Sequence, residues 1–109
     1  MDINENDPRL TGGNPLPQSP EAEAAVLAAA ILSAEVTPEL AFKLQVDDFY
    51  RPSNRTVFAA ILELHRRDIP IDQVSLTEYL SASGDLARVG GPAFIVDLAN
   101  NSFALVNWR

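Results

Sequence analysis

The stretch Ser53-Asn54-Arg55-Thr56-Val57-Phe58-Ala59-Ala60-Ile61-Leu62-Glu63-Leu64-His65-Arg66-Arg67 decides the fold. Val57, Phe58, Ile61, Leu62 and His65 recur at i, i+1, i+4, i+5 and i+8, one apolar stripe on a 3.6-residue period. Leu64 borders the stripe, while Arg55, Glu63, Arg66 and Arg67 fall mostly outside it. This is an amphipathic helix with one face to bury, ended by Asp68-Ile69-Pro70. It therefore needs other helices around it.

Those helices are legible on both sides. Upstream, Ser19 is placed to cap, Pro20 suits a first helical position, and Glu21 and Glu23 favour the positive end of the helix dipole. Val26, Leu27, Ala30 and Ile31 share a side of that helix, and Ala25, Ala28 and Ala29 permit close approach by neighbours. Thr37-Pro38 is expected to open a short second helix through Leu40, Ala41 and Leu44. Asp47-Asp48-Phe49-Tyr50-Arg51-Pro52 connects it to the central helix. Downstream, Ser75-Leu76-Thr77-Glu78 matches a capping box, and the helix it opens stops at Gly84. Asp85 to Val89 bridges to a Gly90-Gly91 turn, from which Pro92 starts a helix through Phe94, Ile95, Leu98 and Ala99. Nothing alternates with period 2 over a useful length. The expected fold is all-α, a small globular bundle of five to six helices with a mobile N-terminal tail.

That tail is expected over residues 1–16, with the domain proper over 17–109. Four of the eight prolines and two of the five glycines fall by Pro20, and only Ile3, Leu10 and Leu16 offer sizeable apolar groups there. So little apolar surface does not offset the entropy of ordering the segment.

Composition narrows the function. At 109 residues, 47% hydrophobic and 21% charged, the chain is long enough for one small domain with a real core. It has no cysteine, which excludes disulfides, thiol catalysis and thiolate metal sites. A net charge of −7 repels phosphate backbones, so nucleic acid is not an expected partner. The longest nearly uncharged stretch, Ala24 to Ala34, is far shorter than the roughly 20 residues of a membrane span. The expected location is the cytoplasm.

No catalytic, cofactor or metal site is predicted. His65, the only histidine, is read as a partly buried, hydrogen-bonded residue at the core edge. A small enzyme built on it would need a carboxylate and a nucleophile, and no spacing indicates either. Asp47-Asp48 is better explained by capping or solvation than by acid–base pairing. Gly90-Gly91 lacks the Lys-Ser/Thr of a phosphate loop, since the only lysine is Lys43. Arg66-Arg67 and Arg51…Arg55 have acidic neighbours and read as a solvated face or a protein contact. Phe103, Leu105, Val106 and Trp108 are four large apolar groups in six positions. They are the candidate oligomer contact, unless they fold back over the core.

Several segments together resemble one family. Pro17-Gln18-Ser19-Pro20-Glu21-Ala22-Glu23-Ala24-Ala25-Val26-Leu27 is similar to the opening of the N-terminal domain of bacterial replicative DNA helicases of the DnaB family. Asp48-Phe49-Tyr50-Arg51-Pro52-Ser53-Asn54-Arg55…Phe58, Pro70-Ile71-Asp72…Val74-Ser75-Leu76…Leu80 and Gly84-Asp85-Leu86…Val89-Gly90-Gly91 follow in family order. The family usually has Gly at Ala28, His at Asn54 and a proline-containing turn after Asn101. Alanine favours a helix over glycine by roughly 1 kcal/mol, and asparagine still hydrogen-bonds, so the fold survives both changes.

The resemblance implies a non-catalytic protein-interaction domain. It would serve assembly of the hexamer collar and recruitment of primase in DNA replication. The implied partners are other helicase subunits, primase and a helicase loader. ATP and magnesium would belong to an ATPase domain beyond this chain, as would most of a helical hairpin. The alternative is a freestanding phage- or plasmid-type regulator that binds the helicase collar.

Overall fold

The computed structural model describes residues 19–100. The tail over residues 1–16 lies outside them, and so do Phe103, Leu105, Val106 and Trp108. Six α-helices and no strands make up the described chain: α1 Pro20–Leu32, α2 Val36–Lys43, α3 Pro52–Arg66, α4 Gln73–Ser83, α5 Leu86–Val89 and α6 Pro92–Ala99. A single 3-10 turn, Val46–Asp48, sits between α2 and α3.

The fold is organised around α3, which packs against α1, α2, α4, α5 and the 3-10 turn. Helix α6 closes the bundle by packing on α1 and α4. Val57, Phe58 and Ile61 of α3 are fully buried, Leu64 nearly so, and Leu27, Leu40, Leu76, Leu80 and Ile95 meet them from the surrounding helices. Ala28, Ala29 and Ala30 on α1 are also fully buried, so small side chains let α1 lie inside the bundle.

Helix termini follow local chemistry, with two shifts from expectation. At α1, the Ser19 hydroxyl accepts from the Ala22 N–H at 3.0 Å, and Pro20 occupies the first turn. At α4, the capping box is real but begins three residues earlier than expected. Asp72, not Ser75, is the cap: its carboxylate accepts from Ser75 N–H at 2.8 Å, and Ser75 Oγ accepts from Asp72 N–H at 3.0 Å. Ser75 is thus the returning member of the pair. The helix ends on Gly84 at φ +84°, a left-handed conformation that glycine adopts without steric cost.

Helix α2 starts at Val36, before the expected Thr37 cap. Thr37 is buried, and its hydroxyl donates to the Ala30 carbonyl of α1, tying the two helices together. The bridge over residues 85–89 contains the short helix α5. After it, the N–H of Gly91 bonds back to Leu86 O at 2.8 Å. Gly90 and Gly91 both have positive φ, and a Cβ on Gly90 would stand 3.2 Å from that of Phe94.

Candidate docking surface and its carboxylate clamp

A carboxylate lies in the middle of this apolar construction. Glu23 falls on the α1 stripe with Val26, Leu27 and Ala30, and only 2% of it is exposed. An unpartnered buried carboxylate is too costly to persist. Here Oε2 accepts from Tyr50 N–H at 2.6 Å, and Oε1 accepts from Asn54 Nδ2 at 2.7 Å and from Arg51 N–H at 3.3 Å. Arg51 is the N-cap position of α3 and offers no side-chain cap of its own. Glu23 therefore satisfies, from another helix, the backbone N–H groups of Tyr50 and Arg51 just ahead of α3, and its carboxylate sits at the positive end of the α3 dipole.

The expected role of Glu23, favouring the dipole of α1, is only part of its work. The stronger signal was its register: a carboxylate in phase with buried apolar residues must have a partner. Asn54, where the family usually carries His, is 3% exposed and supplies one of the donors.

The clamp sets the course of the connector. Phe49 points inward, fully buried, with its ring 4.8 Å from that of Phe58. Arg55 Nε donates to the Phe49 carbonyl at 2.6 Å. Asp48 accepts from Gln45 N–H at 2.8 Å, the capping use expected of the Asp47-Asp48 pair. Tyr50, whose backbone N–H is held by Glu23, leaves its side chain 71% exposed. Beside it, Ser19, Pro20, Glu23, Tyr50 and Arg51 line an open hollow of about 330 Å³. Phe42, in the last turn of α2, is 90% exposed. A phenylalanine so fully in water contributes nothing to the core and is suited to contact with another protein.

The remaining chemistry-bearing residues do not converge. His65 is exposed, contrary to the expectation of a partly buried histidine, because α3 turns Leu64 inward instead. It lines a shallow hollow with Thr37, Asp68 and the 69–71 segment. Among the described residues, no group of three or more His, Asp or Glu could hold a metal ion. Glu63 pairs with both Arg66 and Arg67, forming a solvated ionic face. Hydrogen bonds from Arg66 and then Arg67 lower the Glu63 carboxyl to about 2, and the Arg66 guanidinium is raised in turn. Arg67 also stands over the Tyr79 ring, 5.6 Å from its centre. No helix of the described chain is long and apolar enough to cross a membrane.

Fold and surface together define a small all-α domain with two exposed aromatics, Phe42 and Tyr50, the second beside an internal carboxylate clamp. Comparison with known proteins gives that class its family. The family model described as "DnaB-like helicase N terminal domain" matches residues 15–109. The replicative DNA helicase DnaB of Haemophilus influenzae is 36% identical over 91 residues, covering 84% of this chain and 19% of that protein. The replicative DNA helicase DnaC of Bacillus subtilis is 39% identical over 85 residues, covering 78% of this chain and 19% of that protein. The crystal structure of the N-terminal domain of DnaB helicase from Mycobacterium tuberculosis superposes with a TM-score of 0.73 at 36% identity. That match covers 77% of this chain and 58% of the other. The chain belongs to the family of DnaB-like helicase N-terminal domains, and it spans about a fifth of the length of the two helicases.

Proposed function

We propose that this domain is the protein-docking head of a replicative DNA helicase, acting in assembly of the helicase collar and in recruitment of primase. The family match over residues 15–109 carries the reading. Physical features support it: a net charge of −7 disfavours phosphate backbones, while Phe42 and Tyr50 offer aromatic surface to protein. The domain works in the cytoplasm on other helicase subunits, primase and a helicase loader. Nucleotide and magnesium chemistry belongs to a separate ATPase domain.

The test is co-sedimentation of the purified 109-residue chain with the helicase and the primase of the same organism. Complex formation with either supports the reading. Failure to bind both overturns it.

A further inference from the structure

Cations are scarce in this acidic chain, and among the described residues most are already paired. Lys43 pairs with Glu39, Arg66 and Arg67 with Glu63, and Arg88 with Asp85. Arg51 and Arg55 are both exposed and form no such pair with a described carboxylate. They stand one turn apart at the start of α3, where the Arg55 N–H bonds the Arg51 carbonyl at 3.0 Å. Like charges at that spacing repel, and the positive end of a helix disfavours both. Glu23 offsets part of that cost, yet it bonds the Arg51 N–H and neither guanidinium. Helix stability therefore does not account for the two charges.

We propose that Arg51 and Arg55, with Tyr50 and the hollow beside it, dock an acidic, extended segment of a partner protein. The inference deepens the docking function proposed above and rests on it. Charge complementarity carries it, and geometry adds detail. Arg55 is already oriented: its Nε donates to the Phe49 carbonyl at 2.6 Å, which fixes the guanidinium and leaves its Nη donors for a carboxylate. Four residues of helix rise about 6 Å, close to the roughly 6.6 Å between alternate residues of an extended chain. Alternate side chains of such a chain share one side, so acidic residues two apart match the two arginines. A neighbouring apolar side chain then has the hollow of about 330 Å³ to enter, against Pro20 and Tyr50. Glu23 lines that hollow too, but its oxygens are held by three donors.

Nucleic acid is the competing acidic partner. Its phosphates extend well beyond two arginines and meet a chain of net charge −7. A short peptide feels mainly the charges within about 10 Å, where Arg51 and Arg55 lie. The aromatic ring of Tyr50, 71% exposed beside them, suits a protein contact, in which tyrosine and arginine are the favoured anchors.

The test titrates the nitrogen-15-labelled 109-residue chain with the peptide acetyl-Leu-Glu-Ser-Glu-Gly-amide at low salt. The amides of Tyr50, Arg51 and Arg55 are expected to shift, and the peptide with Gln for both Glu should bind at least fourfold more weakly. Arg51→Gln and Arg55→Gln should each weaken binding by roughly two- to fivefold, and physiological salt should weaken it further. Arg51→Gln removes no described side-chain bond, so it reads the site even if Arg55→Gln disturbs the connector. Equal affinity for the two peptides, binding that Arg51→Gln leaves unchanged, or shifts confined to another face would each overturn the proposal. A thymidine pentanucleotide that binds more tightly than the acidic peptide would assign the site to nucleic acid and overturn it. Shifts of the same amides with protein concentration alone would assign it to a second copy, with the same consequence. The titration uses neither helicase nor primase, so the two readings fail separately. A domain that co-sediments with those proteins but ignores the peptide keeps its docking function and loses this site.

Discussion

Glu23 is the residue on which the arrangement turns. It holds three donors that come from 27, 28 and 31 positions away in sequence. Replacing it with alanine strands those donors in the interior, each a loss of about 1–3 kcal/mol if left unsatisfied. Because water reaches the hollow beside them, Glu23→Ala is expected to cost about 3 kcal/mol in urea unfolding, and Glu23→Gln less. The glutamine variant keeps one acceptor oxygen. A Glu23→Ala domain as stable as the parent would refute the clamp.

At the surface, Glu63 sets a different expectation. Its carboxyl is lowered from 4.5 to about 2 by Arg66 and Arg67, so the unfolded chain takes up its proton first as pH falls. The stability from this site is complete above the ordinary carboxylate range and lost progressively between about 4.5 and about 2. In Glu63→Gln, thermal melts at about pH 6 and about pH 3 should differ by less than in the parent. The effect is small, because the site is solvated.

At the scale of elements, caps and turns carry the predictions. Asp72→Ala should cost about 1 kcal/mol, since it removes the acceptor for Ser75 N–H. The double variant with Ser75→Ala should cost less than the sum, because both residues serve one reciprocal pair. Gly84→Ala meets no neighbouring atom within 4 Å but must hold φ +84°. Its cost, about 1–2 kcal/mol, is therefore purely that of the backbone. Chemical unfolding of the single variants checks these figures. A loss at Gly84 far larger than that range would show a steric cause the structure does not contain.

At the scale of the whole molecule, core and surface should separate cleanly. Phe58→Ala empties the site where α3 meets the connector through Phe49, and should cost about 3–5 kcal/mol. Phe42→Ser touches no core and should change stability by less than about 0.5 kcal/mol. If Phe42 is part of the docking surface, the same variant weakens co-sedimentation with helicase or primase. Unchanged binding by Phe42→Ser and a Tyr50→Ser variant would move the docking surface elsewhere on the domain.

Local order was readable in the sequence because it is local chemistry. The period of Val57, Phe58 and Ile61, the Ser19-Pro20 start and the Gly84 stop each act within a turn or two of helix. The α4 cap shows the limit: the sequence pattern pairs Ser75 with Glu78, whereas the structure pairs Asp72 with Ser75, three residues earlier. Tertiary structure decided what local spacing leaves open: that Phe49 goes in while Tyr50 stays out, and that α3 buries Leu64 and exposes His65. It also decided that a glutamate in the first turn of α1 completes the start of α3. These outcomes depend on which groups meet across some thirty residues of chain. A helical period narrows the buried face to a stripe, but only a packed neighbour settles its edges and gives an internal charge its partners.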